Sequence, residues 1–186
     1  MREKRSDYFE NSRRATAVQQ QYALRNPLWF KGYGKNCWGI TAGLGPGFSK
    51  QRAEGGIERQ FYGYVARGVP FGPDDGTLAP WAVVASLPFA PEIVTAALQR
   101  FRDAHPEILS KDGLLTSFNP SFDTGDGTNH GWLSPEHYGL DQGPVALMIE
   151  NYSSGLLWRL MRECPALVTV LRRAGFRGGW LRSSDP

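Results

Sequence analysis

Asp141 stands in a segment, GLDQGPVALMIENY at Gly139–Tyr152, whose residue types and spacing suggest chemistry. Apolar residues recur there with the spacing of one helical face: Val145, Met148, Ile149 and Tyr152. Pro144 fits the first turn of such a helix, where its missing N–H costs nothing, and Asp141 is then at or next to the N-cap. Two interpretations stay open. The carboxylate caps the helix, or it points into a cleft at the helix end and acts as a base.

Asp75 is a second candidate carboxylate. It lies in the turn Asp74-Asp75-Gly76-Thr77, which leads into a short apolar helix predicted over Leu78–Leu87. Capping and the helix dipole explain a pair of acids at this place. A role in a cleft is the alternative interpretation.

Aromatic side chains are concentrated between positions 27 and 75, a stretch that also holds 11 glycines. The stretch has no helical period, and a connection of this length is usually functional or conceals short strands. We expect a short element near Trp38–Ala42, a turn at Gly45–Gly47 and a hairpin around Phe61–Val65. The aromatic rings either fill a core or form platforms for sugar rings.

Helices must position these residues, and the periodicity predicts about six of them, separated by long loops. They are expected over Ser6–Arg25, Leu78–Leu87, Pro91 to about His105, Gly139–Tyr152, Ser153–Glu163, and Pro165 to the stop at Gly175. Long loops argue against a simple bundle. The pattern suits a single, mainly α-helical domain over residues 1–186, built as a toroid of helical hairpins whose loops form a cleft at one end.

Composition excludes several classes of function. A chain of 186 residues with 41% hydrophobic residues can form one core, and its net charge of +3 is scattered rather than arranged as a nucleic-acid-binding stripe. No apolar run reaches 18 residues, and the N-terminus lacks the apolar segment of a signal peptide. Neither the cysteines nor the histidines have metal-ligand spacing, so we expect no metal and no cofactor. Cys37 and Cys164 are expected to be buried free thiols, with pairing in an oxidising compartment as the alternative.

Six short motifs resemble, in order, those of the glucoamylase-like domain family, which includes bacterial endo-β-1,2-glucanases. They are YFENSRRA (Tyr8–Ala15), WGITA (Trp38–Ala42), DGTLAP (Asp75–Pro80), SLPFAP (Ser86–Pro91), DQGP (Asp141–Pro144) and IENY (Ile149–Tyr152). The resemblance implies an (α/α)6 toroid and inverting hydrolysis of β-1,2-glucosidic bonds. It also implies that this chain is the C-terminal part of such a domain, with the general acid, a glutamate, in the part upstream. Asp141 is then the candidate base.

The same motifs suggest residues that bind the substrate, a β-glucan oligosaccharide or polysaccharide. The candidates within the motifs are Glu10, Arg13, Trp38, Thr41, Asp75 and Glu150, and Trp132, which lies outside them, is added as a further aromatic candidate. One position departs from the family pattern: Leu44 stands where the family usually has an aspartate. Because leucine accepts no hydrogen bond, a sugar contact or the order of that loop is in doubt.

Inverting hydrolysis needs two carboxyl groups roughly 6.5–9.5 Å apart, one acting as acid and one as base. Three hypotheses follow, according to whether a general acid joins Asp141 and where that acid comes from. The chain is a piece of a β-1,2-glucan hydrolase, a carbohydrate-binding remnant, or an interaction module that completes a toroid with a missing N-terminal half. Family analogy suggests a periplasmic or extracellular location.

Overall fold

Six α-helices dominate the computed structural model, which describes residues 7–127 and 130–181. They are α1 (Tyr8–Arg25), α2 (Pro80–Ala85), α3 (Pro91–Ala104), α4 (Gly139–Ser154), α5 (Leu156–Arg162) and α6 (Pro165–Arg173). The prediction of a mainly helical fold with about six helices is therefore confirmed. Within the described ranges, none of these helices is both long enough and apolar enough to cross a membrane.

Short antiparallel strand pairs lie in the long connections. They are β1 (Ser49–Arg52) with β2 (Glu58–Phe61), β3 (Leu109–Ser110) with β4 (Gly113–Leu114), and β5 (Phe118–Asn119) with β6 (Trp132–Leu133). The hairpin predicted around Phe61–Val65 lies earlier, because Phe61 ends its second strand opposite Ser49. Gly55 and Gly56, at φ values of 82° and 80°, form the turn. Only glycine adopts this backbone region at no steric cost.

The helices α1 and α2 run in opposite directions. In the second half of α1, Gln19 binds both backbone groups of Ile40, accepting from its N–H at 3.0 Å and donating to its carbonyl at 2.7 Å. The Gly39 carbonyl, next to Ile40, accepts a 2.9 Å hydrogen bond from the N–H of Ala79, the residue immediately before α2. At the start of α1, Phe9 packs against Phe89, which follows α2, with ring centroids 5.5 Å apart.

The helices α2 and α4 pack side by side and point the same way. Leu78, before α2, exchanges two 2.9 Å backbone hydrogen bonds with Phe118 of β5. Gln142, at the start of α4, donates to the carbonyl at the end of β4 at 2.7 Å. Near the C-terminal ends of α2 and α4, Phe9 contacts both Phe89, which follows α2, and Trp158 of α5, which follows α4. We call the end where α2 and α4 begin the loop end, and the opposite end the far end.

The hydrophobic core lies between α2, α3 and the segments that cross the loop end. Its buried members are Ala23, Cys37, Trp38, Ile40, Leu78, Val83, Val84, Val94, Ala97, Phe101, Ile108, Leu114 and Phe118. Gly39 allows the closest approach to α2, since a Cβ on it would lie 2.7 Å from Val83 Cγ2 and 2.9 Å from the Ala79 carbonyl oxygen. Its φ of +121° also favours glycine.

The helix α4 begins at Gly139 as predicted, but the places of Asp141 and Pro144 in it differ from the sequence prediction. The N-cap is Tyr138, so Asp141 lies inside the first turn and makes no capping hydrogen bond. Pro144 lies inside the helix rather than in its first turn. The predicted apolar face is partly at the surface, with Ile149 44% and Tyr152 52% exposed. The buried side of α4 instead includes Asp141 itself, so packing places a carboxylate where the periodicity does not.

Both cysteines are free thiols, as expected, but only Cys37 is buried. Burial raises its thiol pKa to about 12, although the charge of Arg100 acts in the opposite direction. Cys164 is exposed, because it follows α5 at the surface rather than facing the core. The prediction of burial was therefore wrong for Cys164.

Candidate active site

Asp141 lies at the loop end and is only 6% exposed. Among the described residues its Oδ2 has no hydrogen-bond partner, and neither has the hydroxyl of the neighbouring Thr116. Burial raises the pKa of Asp141 above the ordinary carboxyl value; the Thr116 hydroxyl, which lies near the carboxylate without hydrogen-bond geometry, lowers it in part. Buried polar atoms are normally satisfied. An unsatisfied carboxylate oxygen can therefore accept a hydrogen bond from a ligand or from water.

The position of Asp141 is fixed by contacts at the start of α4. Its N–H donates to the Tyr138 carbonyl at 2.9 Å. The next side chain, Gln142, donates to the Leu114 carbonyl at 2.7 Å. At Gly113, whose φ is +107°, a Cβ would lie 2.7 Å from Gln142 Oε1. This docking brings Thr116, two residues beyond β4, next to Asp141.

Asp75 has a structural role. Its two carboxylate oxygens accept hydrogen bonds of 2.7 Å from Nε and Nη2 of Arg67. The backbone N–H groups of Tyr62 and Thr77 add bonds of 3.0 and 3.1 Å. Burial alone would raise the pKa of Asp75, but these bonds and the Arg67 charge hold it below its usual range. With its side chain fully buried, Asp75 is not placed to touch a sugar, and the N-cap of α2 is Ala79.

The loop that contains Leu44 is held in place despite the missing aspartate. Arg67 donates to the Gly43 carbonyl at 2.7 Å, and Ser117 Oγ donates to the Leu44 carbonyl at 2.6 Å. Gly43 also pairs with Val65 through backbone bonds of 3.2 and 3.3 Å. Backbone groups therefore fix this loop whatever side chain stands at position 44. Thr41, half-buried, lies in the same loop.

The two candidate sugar platforms differ in exposure. Trp38 is 1% exposed and belongs to the core, with its Nε1–H unpaired among the described residues. It has no free ring face, so the core interpretation holds for Trp38. Trp132 is half-buried on β6 opposite Asn119. Asn119 donates to the Asp75 carbonyl at 2.9 Å, which ties Trp132 to the same network at the loop end.

Glu10 and Arg13 lie at the far end of the fold. They follow Phe9, whose ring packs on Trp158 of α5. Glu10 forms ion pairs with Arg13 at 3.3 Å and with Arg14 at 3.0 Å. A cavity of about 520 Å³ adjoins them, between α1 and the segment before α3. The length of α4 separates this cavity from Asp141, so the structure does not bring these residues to the candidate base.

Glu150 is also separated from Asp141. It lies nine positions later in α4, which is about 14 Å along the axis and half a turn around it. Its carboxylate accepts a 2.6 Å bond from Ser154 and is exposed. Glu150 therefore faces away from the candidate base at a distance too great for a shared sugar unit.

Comparison with known proteins identifies the family. The sequence model of the Glycoamylase family, described as "Putative glucoamylase", matches residues 1–165. The chain belongs to the Glycoamylase family. It is similar to the exo β-1,2-glucooligosaccharide sophorohydrolase (non-reducing end) of Parabacteroides distasonis, with 32% identity over 164 residues. That match covers 88% of this chain and 20% of the relative.

Two solved structures resemble the fold closely. The endo-β-1,2-glucanase of Chitinophaga pinensis, in complex with sophorotriose and glucose, is 29% identical with a TM-score of 0.75. The match covers 95% of this chain and 37% of that protein. The β-1,2-glucanase of Parabacteroides distasonis is 31% identical with a TM-score of 0.73, over 91% of this chain and 21% of that protein. This member of the family thus spans a fifth to about a third of the relatives' length.

Sequence reasoning did not single out Thr116 or Asp74. Asp74, not Asp75, keeps a buried oxygen, Oδ2, without a partner among the described residues. Its Oδ1 accepts from the Tyr33 hydroxyl at 2.7 Å. The adjacent acids were visible in the sequence, but only the position of Arg67 decides which of them is neutralised. Nothing in the sequence alone indicates that Thr116 lies beside Asp141.

Proposed function

We propose that this chain forms the C-terminal part of a glycoside hydrolase domain that cleaves β-1,2-linked glucan with inversion, and that Asp141 is its general base. One observation carries the proposal: at the start of α4 there is a buried carboxylate, one oxygen of which has no partner among the described residues. It lies at the end of the fold where the long aromatic and glycine-rich connections gather. The relatives named as β-1,2-glucan hydrolases support the substrate class.

In an inverting reaction the base removes a proton from water as that water attacks the anomeric carbon. A separate acid protonates the leaving oxygen. The raised pKa of Asp141 suits the first role, since a base whose pKa lies nearer the working pH accepts a proton more readily. Asp141 must be ionised to act, so activity should fall as the pH drops through its pKa. Thr41 and Trp132 are the proposed sugar contacts at this end.

The helix arrangement supports a toroid of helical hairpins. Such a toroid repeats inner helices that point one way and outer helices that point the other way. The parallel helices α2 and α4, together with the antiparallel α1, fit this pattern. Apolar side chains exposed on the later helices support a surface that the rest of a larger domain covers. These include Tyr152 at 52%, Leu160 at 54% and Val170 at 60%.

The general acid is proposed to come from outside these 186 residues. Glu10 and Glu150 are too far from Asp141, and Asp75 is neutralised by Arg67. Asp74 is the carboxylate within the chain that must be tested as the alternative, because its Oδ2 is unpaired among the described residues at the loop end.

A chimera tests the assignment. This chain would replace the matching 37% of the Chitinophaga pinensis endo-β-1,2-glucanase, and release of new reducing ends from linear β-1,2-glucan would be measured. We expect the chimera to hydrolyse the glucan and to release the α-anomer first, as seen by NMR. Asp141→Asn should lower kcat by about 10²–10⁴-fold, and the matched control Glu150→Gln should leave it unchanged.

The isolated chain supplies the second half of the test. We expect it to fold, by circular dichroism, and to show no hydrolysis above the Asp141→Asn background. Hydrolysis by the isolated chain that Asp74→Asn abolishes would place the acid within the chain and overturn that part of the proposal. A chimera that stays active with Asp141→Asn would overturn the assignment of the base.

A further inference from the structure

A second cavity, of about 690 Å³, opens at the loop end. Its described walls are the β1–β2 hairpin, the residues that follow α1, and, after β5, residues 120–123 with Gly127 and Gly131. This volume is within the usual range for small-molecule sites. Neither Asp141 nor Thr116 lines it, so it is separate from the candidate catalytic carboxylate.

Positive charge predominates among the described side chains of this cavity. Lys31, Arg52 and Arg59 line it together with one carboxylate, Asp123. The ammonium of Lys31 and the guanidinium of Arg52 have no hydrogen bond or ion pair within the described part of the chain. Arg59 is already engaged, donating to the Trp29 carbonyl at 2.9 Å. Two cations are thus free to bind an anionic group.

Trp29 forms an exposed aromatic wall of the same cavity. Its side chain is 79% exposed, and its φ of 58° is an uncommon conformation for a bulky residue. The hydrogen bond from Arg59 to its carbonyl and one of 3.0 Å from its own N–H to the Asn26 carbonyl hold this conformation. Strained residues that are fixed in this way concentrate at ligand sites. An exposed indole offers a flat apolar face to the C–H groups of a sugar ring.

The walls of the cavity are tied to one another by hydrogen bonds. The side-chain amide of Gln51 donates to the Asp123 carbonyl and accepts from its N–H, both at 2.8 Å. The N–H of Lys31 donates to Ser121 Oγ at 2.7 Å. Phe61 and Phe122 pack edge to face at 5.0 Å in the lining. The cavity is therefore pre-formed, which lowers the cost of ordering it around a ligand.

We propose that this cavity binds an anionic sugar, a sugar unit that bears a phosphate or a carboxylate. The ring packs on Trp29 and the charged substituent is bound by Lys31 and Arg52. The inference does not depend on the proposed hydrolysis, because the site excludes Asp141. It adds selection for charged over neutral sugar units at a position away from the base.

Isothermal titration of the 186-residue chain with four compounds tests this site. The compounds are glucose 6-phosphate, glucuronate, glucose and inorganic phosphate. We expect the two charged sugars to bind at least tenfold more tightly than glucose, and several-fold more weakly when the salt concentration rises. Arg52→Ala and Trp29→Ala should each weaken glucose 6-phosphate binding about fivefold or more.

Two variants serve as controls. Lys35→Ala removes a positive charge four residues after Lys31 in the same connection but outside the cavity. It should leave binding unchanged, as should Asp141→Asn, which separates this site from the proposed hydrolysis. Unchanged thermal unfolding of Arg52→Ala and Trp29→Ala shows that the fold is intact.

The proposal fails if glucose and glucose 6-phosphate bind equally, or if no compound binds saturably. It also fails if Lys35→Ala weakens binding as much as Arg52→Ala does. Inorganic phosphate that binds as tightly as glucose 6-phosphate would reduce the cavity to a simple anion site and overturn the role of Trp29.

Discussion

The ion pair between Asp75 and Arg67 offers a sharp test of how this fold is held together. Its side chains are 0% and 1% exposed. Besides Asp75, Arg67 binds the carbonyls of Gly43, Tyr62 and Gly63 at 2.7–3.2 Å. The pair therefore joins the Gly43 loop, the segment after β2 and the turn before α2. Asp75→Ala would leave a buried guanidinium without its counter-charge.

The expected cost follows from the geometry. Removing one partner of a buried pair destabilises by about 3–5 kcal/mol, because the remaining charge is uncompensated. Adding up Asp75's hydrogen bonds separately at about 1.5–3 kcal/mol each would give more, but interactions within one network are not additive. A cost of about 3–5 kcal/mol is a large share of a domain stability of about 5–15 kcal/mol. For a chain of this size it corresponds to a fall in Tm of roughly 6–20 °C.

Urea unfolding followed by circular dichroism measures the effect. Asp103→Ala is the matched control, since Asp103 pairs with Arg102 at 3.1 Å with both side chains mostly exposed. It should change the free energy of unfolding by no more than about 0.5 kcal/mol. The double variant Asp75→Leu/Arg67→Met should be more stable than either single variant, since no buried charge is left unpaired.

The pH dependence provides an independent check. The pKa of Asp75 is lowered in the folded protein, so its stabilisation is present above the unfolded value of about 3.9. It is lost as the pH falls through the folded pKa. The gap between wild type and Asp75→Ala should narrow at acidic pH. A cost below about 1 kcal/mol at pH 7, or a gap that does not depend on pH, would refute the reasoning.

Three further predictions concern other parts of the fold. Asp141→Asn should not destabilise the protein at pH 7, because burial raises the pKa of Asp141 and ionisation therefore costs stability above that pKa; melts should show the variant more stable relative to wild type at pH 7 than at pH 4. Gly39→Ala should cost more than about 1 kcal/mol in urea unfolding, because its Cβ would lie 2.7 Å from Val83, and an unchanged midpoint would contradict this. Of the two thiols, exposed Cys164 should react quickly with a thiol reagent and buried Cys37 only after unfolding; two fast equivalents would contradict the burial.

Local pattern was enough to find most of the helices. The apolar spacing predicted α3, because a helix buries one stripe whatever it packs against, and Gly175 predicted the stop after α6. Boundaries were less secure where proline was the guide. The start of α4 at Gly139 agrees with the predicted segment, but Pro144 lies inside the helix rather than in its first turn, and contacts with β4 hold that start. The Gly55-Gly56 turn shows the converse, a local signal that predicts a hairpin better than the aromatic run at Phe61.

The sequence alone determined the family, the helical class and Asp141 as the candidate base. These depend on short-range spacing or on motifs that the chain itself displays. Only the tertiary structure decided which candidates share an end of the molecule. Glu10 and Asp141 belong to motifs of one family, but α1 runs opposite to α4 and separates them. Likewise Arg67 neutralises Asp75, while an oxygen of Asp74 has no partner within the described part of the chain. Which of the two adjacent acids is neutralised depends on where the fold places the Arg67 guanidinium.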